Sequence, residues 1–188
     1  MPSKQQLHLR STVFALLVVA SLSVNSTAKA DCSGAGNTCY GTDALVANTN
    51  GSFNSGFGFS ALYQNTLGSE NTAIGYQSLY NNTYGTRNTA SGVNALWFNT
   101  TGVSNTASGY SALQRNTEGY NNAAIGEAAL YYNETGYNNT ASGVRALYYN
   151  TAGYFNTANG SYALVGNTTG FYNTASGAWA LNNNSTGK

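Results

Sequence analysis

The chain has 188 residues, only 7% of them charged, with seven basic and six acidic side chains and a single His. Charge so sparse and balanced excludes a basic patch for nucleic acid or anionic lipid. The length suits one domain.

In chain order, residues 1–30 read as a secretory signal peptide. Lys4 and Arg10 give a basic start, Ser11 to Val24 is mostly apolar, and Ala28-Lys29-Ala30 is a small-residue cleavage site ahead of Asp31. The apolar run is shorter than the roughly 20 residues that cross a bilayer. Cleavage after Ala30 removes Met1, Pro2 and His8. It leaves Arg87, Arg115, Arg145 and Lys188 against six acids, a formal charge of −2. The expected location is outside the cell or at its surface, with no transmembrane segment in the mature chain. Residues 31–36 then form an N-terminal cap. Cys32 and Cys39 are disulfide candidates in an exported chain, and two Cys without His make a poor zinc site.

From Asn37 to Lys188 the chain repeats. A motif of the NTASG type begins at Asn37, Asn54, Asn71, Asn88, Asn105, Asn122, Asn139, Asn156 and Asn173, each step being seventeen residues. Numbering the positions of one copy as columns, five never vary: Asn in the first, Gly in the fifth, Leu in the ninth, Asn in the twelfth and Gly in the fifteenth. A fixed short period is the mark of a stacked array. Helices are a poor choice, because each Gly costs about 1 kcal/mol against Ala and no 3.6-residue apolar stripe survives. Strands fit. Columns twelve to fifteen have the Asn-first, Gly-last pattern of a type I turn, and Gly in column five gives a second bend.

The expected fold is therefore all-β: a parallel β-roll or β-solenoid of nine coils over residues 37–188, with two short strands per coil. One strand would span the x-x-A-L-x-x segment and the other the x-x-N-T-A segment. Stacking would place Leu45, Leu62, Leu79, Leu96, Leu113, Leu130, Leu147, Leu164 and Leu181 in one core ladder, each buried Leu contributing on the order of 2 kcal/mol. Asn over Asn would form amide ladders. One Leu and two Ala per coil is a thin core. Further burial is expected from columns six (Tyr76, Val93, Tyr110, Val144) and ten (Tyr63, Tyr80, Trp97, Tyr131, Tyr148), some of these residues lying at the subunit contact of a homotrimer or other homo-oligomer.

The stretches NTAIGYQSL (Asn71 to Leu79) and NNAAIGEAAL (Asn121 to Leu130) resemble the head repeats of trimeric autotransporter adhesins, the YadA-like family. The resemblance covers nearly all of the mature chain. It implies a left-handed parallel β-roll, trimerisation, surface display and adhesion to a host-surface protein or glycan. The family's head repeat is usually shorter, and Ile stands in column four only at Ile74 and Ile125. No heptads of a coiled-coil stalk are present.

Catalysis is hard to build from these residues. The mature chain lacks His for acid–base work, and the expected catalytic, metal and cofactor sets are all empty. Glu118 and Glu134 approach one another only as turn residues of adjacent coils. The feature that points outward is aromatic. Column sixteen carries Tyr120, Tyr137, Tyr154 and Phe171 in four consecutive coils; column eleven adds Phe98, Tyr132 and Tyr149, and column seventeen Phe155 and Tyr172. Tyr offers an apolar body and a polar tip, so Tyr120, Tyr137, Tyr154, Phe171, Tyr132 and Tyr149 are the candidate surface-binding residues. The alternatives are a self-assembling structural rod and, less favoured, ice binding. Columns two and thirteen are Thr-rich, but they do not form a Thr-x-Thr pair on one strand.

Overall fold

The computed structural model describes residues 32–188, so the signal-peptide expectation lies outside the described residues. Nine strands of three residues each run through the array: β1 (Thr38–Tyr40), β2 (Ser55–Phe57), β3 (Thr72–Ile74), β4 (Thr89–Ser91), β5 (Thr106–Ser108), β6 (Ala123–Ile125), β7 (Thr140–Ser142), β8 (Thr157–Asn159) and β9 (Thr174–Ser176). They form one parallel sheet in chain order. Each residue pairs with the residue seventeen later, as Thr89 with Thr106 and Ala90 with Ala107. This is a β-solenoid with one coil per repeat. No helix long and apolar enough to cross a membrane occurs among the described residues.

The second expected strand, x-x-A-L-x-x, is a run of turns. Columns seven and nine lie in the left-handed region, for example Ser111 at φ 54° and Leu113 at φ 51°. Each such non-glycine residue costs about 1–2 kcal/mol. Pairing between coils offsets that cost. Leu113 N–H donates to the Ala129 carbonyl of the next coil, and Ser111 N–H to the Val93 carbonyl of the preceding one, both at 2.9 Å. Sequence pattern reads which residues face inward; it does not read the backbone twist that turns them there.

The type I turn expected at columns twelve to fifteen is closed differently. The Asn116 Nδ2 donates to the Gly119 carbonyl at 3.0 Å, so a side chain spans the corner. The backbone N–H groups of Thr117, Glu118 and Gly119 all converge on the Glu134 carbonyl of the next coil, at 3.1, 3.0 and 3.1 Å. The Thr117 hydroxyl adds a fourth bond to it at 3.0 Å.

The core is a continuous cluster of the column-nine Leu with the Ala of columns three and eight. Leu45 through Leu164 are fully buried, whereas Leu181 is 51% exposed. The leucines lean toward column three of the following coil, as Leu45 does toward Gly56, and no described coil follows Leu181.

Two asparagine ladders flank this core. In column one, Asn105 Oδ1 accepts from Asn122 N–H at 3.0 Å and from its Nδ2 at 3.1 Å. Asn105 Nδ2 donates to Asn88 Oδ1 at 3.2 Å and to the Gly119 carbonyl at 2.7 Å. In column twelve, Asn116 Nδ2 donates to Asn99 Oδ1 at 2.7 Å. The column-fifteen carbonyl thus receives both ladders. A Cβ on Gly119 would collide with Asn116 Oδ1 and with the Gly136 carbonyl, which explains a glycine there without any need for positive φ. The column-twelve ladder breaks at the last step, where Asn167 Oδ1 and Asn184 Nδ2 have no partner.

Residues 32–36 cap the first coil. The Ser33 carbonyl accepts from Asn37 Nδ2 and from Asn48 Nδ2, and so stands in for the missing upper rung of both ladders. A disulfide joins Cys32 to Cys39 and holds this segment in place.

Candidate functional site

Column sixteen follows a corner glycine, and its side chains leave the coil at the same point each time. Tyr120, Tyr137, Tyr154 and Phe171 therefore stack into a ladder. Successive ring centroids lie 4.8, 4.9 and 4.9 Å apart, with interplanar angles of 2–4°. In column seventeen Phe155 stacks on Tyr172 at 5.1 Å. Those two rings meet the column-sixteen ladder edge-on, as Phe155 does at Tyr154, 6.0 Å away. Tyr172 is 65% exposed and Phe155 43%.

Tyr132 and Tyr149 belong to a different patch. They stack on one another at 5.6 Å and pack against Tyr131 and Tyr148 of column ten. No ring of this patch contacts a ring of the column-sixteen ladder among the described residues, so the six candidates occupy two surfaces instead of one. A third row has no mark in the sequence pattern, because column seven changes residue type from coil to coil. Column seven brings Tyr162 onto Trp179 at 4.2 Å, with Arg145 over the Tyr162 ring at 5.8 Å. The same Arg145 lies 5.6 Å from the Tyr148 ring, and Arg115 lies 5.4 Å from that of Tyr132. At exposed sites such contacts contribute about 0.5–1 kcal/mol each.

Stacking decides what the column-sixteen ladder can present. The inner ring faces cover one another, so the ladder offers ring edges and a row of phenol hydroxyls one coil apart. A sugar that must lie flat on an open aromatic face is poorly served there.

Desolvation in the stack raises the Tyr137 phenol above the ordinary value near 10, and the phenols of Tyr120, Tyr154 and Tyr172 push the same way. Burial likewise raises Tyr148; Tyr132, Tyr131 and Tyr149 add to the rise, while Arg145 opposes it. A raised phenol pKa means that the unfolded chain loses its proton first as pH rises. The folded state then holds more protons, and stability falls with pH above about 10. Phenolate absorbance should therefore develop with one fraction of tyrosines titrating late, and Tyr137→Phe should shrink that fraction. A single titration step at the ordinary value would contradict the stacked environment.

Among the described residues no group of three or more His, Cys, Asp or Glu side chains comes together to hold a metal. Glu118 and Glu134 meet through backbone only, and both side chains are exposed. Outward residues of columns four and six form a further apolar strip toward the first coils, with Tyr40 78%, Phe59 45% and Tyr76 49% exposed. The period-two alternation within each strand is the signal that marks column four as outward. No protein-family model matches the chain, and no curated protein and no solved structure matches it.

Proposed function

We propose that this protein is an exported, surface-binding repeat protein without catalytic activity, in the manner of the adhesin heads its repeats resemble. The observation that carries this reading is the ordered aromatic ladder Tyr120–Tyr137–Tyr154–Phe171 with its flanking Phe155 and Tyr172. Contiguous exposed apolar surface on a rigid scaffold is the usual mark of a partner site. Ring edges and phenol hydroxyls suit a protein surface, or the hydroxyls of a glycan approached edge-on. The exposed strip of Tyr40, Phe57, Phe59, Ile74 and Tyr76 supports a homotrimer, in which it would be covered.

The test replaces Tyr120, Tyr137 and Tyr154 together with Ser. Retention on protein-coated or glycan-coated surfaces should fall at least tenfold, with the β-type circular dichroism kept. Unchanged retention would refute the ladder as the binding surface.

A further inference from the structure

The outward face of the sheet carries a second, chemically different array. Column three is buried Ala in seven of the nine coils, so columns two and four both point outward. Four strands read Thr-Ala-Ser: β4, β5, β7 and β9. Their hydroxyl pairs are Thr89 with Ser91, Thr106 with Ser108, Thr140 with Ser142 and Thr174 with Ser176. The Thr-x-Thr arrangement missing from columns two and thirteen is thus approached within columns two and four. The two threonine columns differ in use. In column thirteen the hydroxyls of Thr100 and Thr117 are spent on carbonyls of the next coil, at 3.1 and 3.0 Å. The column-two and column-four hydroxyls of the four Thr-Ala-Ser strands make no bond within the chain.

We propose that this face binds ordered water, so that the protein adsorbs to ice. Three physical features favour that occupant. Strict register puts like residues directly above one another, about 4.8 Å apart along the rod and near 6.7 Å across the strand. Two waters bonded to a common tetrahedral water at about 2.75 Å lie about 4.5 Å apart by geometry. Thr-Ala-Ser strands adjoin only at β4 and β5, with Ala-Ala-Ile in β6 and Thr-Ala-Asn in β8, but column two carries Thr140, Thr157 and Thr174 in three consecutive coils, over which a mismatch of about 0.3 Å per step stays below 1 Å. Second, columns two and four from β4 to β9 hold no ionisable side chain. A neutral lattice is therefore met by a neutral surface. Third, β-branched Thr in a strand has a restricted χ1, so little rotamer freedom remains to be lost on adsorption.

The experiment grows a single ice hemisphere from a dilute solution of the protein. The expected result is enrichment in the ice over an unrelated protein of similar size, with a measurable gap between melting and freezing points. The variant Thr106→Tyr/Thr140→Tyr keeps strand propensity but raises bulk above the plane; it should lose at least tenfold of the gap. The Tyr120/Tyr137/Tyr154→Ser variant should keep it, which separates this face from the aromatic ladder. Exclusion of the unaltered protein from ice, or full activity in the folded double variant, overturns the proposal. If the double variant loses its β signal, partition of the unaltered protein decides alone.

Discussion

Gly109→Ala should cost on the order of 3–5 kcal/mol, a loss of the size that a few named mechanisms produce. Two causes add. Gly109 sits at φ +138°, where L-residues are strained, and a Cβ there would lie 2.6 Å from the Gly126 carbonyl of the next coil. Strain of that kind accounts for about 1–3 kcal/mol; forced separation of neighbouring backbones accounts for the rest. Gly177→Ala isolates the first cause, because Gly177 has φ +117° with nothing within 4 Å of the added atom. Urea unfolding followed by circular dichroism should rank Gly109→Ala well below Gly177→Ala. Stability in such arrays is a sum of units and their interfaces, so the Gly109 variant should also unfold in two steps, on either side of the fifth interface. Equal midpoints for the two variants would show that the close approach of coils carries no energy.

Asn105→Ala should have an effect of similar size, about 3–5 kcal/mol. It deprives the Asn122 N–H of its only acceptor in a dry interior, and a buried unsatisfied group costs roughly 1–3 kcal/mol beyond the bonds lost with it. The Asn105→Asp variant makes the same point through pH. Its second oxygen would face Asn88 Oδ1 and the Gly119 carbonyl, both acceptors. Burial and these dipoles disfavour the carboxylate and raise its folded pKa above the unfolded value near 3.9. Stability of this variant should be greatest below pH 4 and fall as pH rises, the unfolded chain releasing its proton first. A variant equally stable at pH 3 and pH 7 would show that the ladder tolerates a charge, and that the amide donor is dispensable.

Much of this was legible because a period of seventeen leaves few ways to arrange the chain. The invariant Leu and Asn columns and the Ala-rich columns three and eight map onto the buried positions, and a stack of strands follows from them. The x-x-A-L-x-x segment reads as a strand in the sequence but folds as turns, because short apolar runs look alike whether extended or turned. Leu113 gives no local sign that it adopts φ 51°; the neighbouring coils impose it. The column-sixteen aromatics were visible as a row, and their stacking followed from the period. Their separation from Tyr132 and Tyr149 was not visible, since it depends on how the corner between columns eleven and sixteen folds. The outward Thr-Ala-Ser pairs stand on one face only because column three turns inward, which sets columns two and four on the same side of the strand.

The meeting of Asn105 and Asn116 at one glycine carbonyl recurs down the rod, and each inner rung turns its amide donors toward the preceding coil and its amide oxygens toward the next. Such a molecule has no privileged middle. A gene that gains or loses a whole block alters only the reach of the product, since the new neighbours recognise each other as the old ones did. Length in this architecture is therefore set by the number of blocks, each adding one coil at about 4.8 Å.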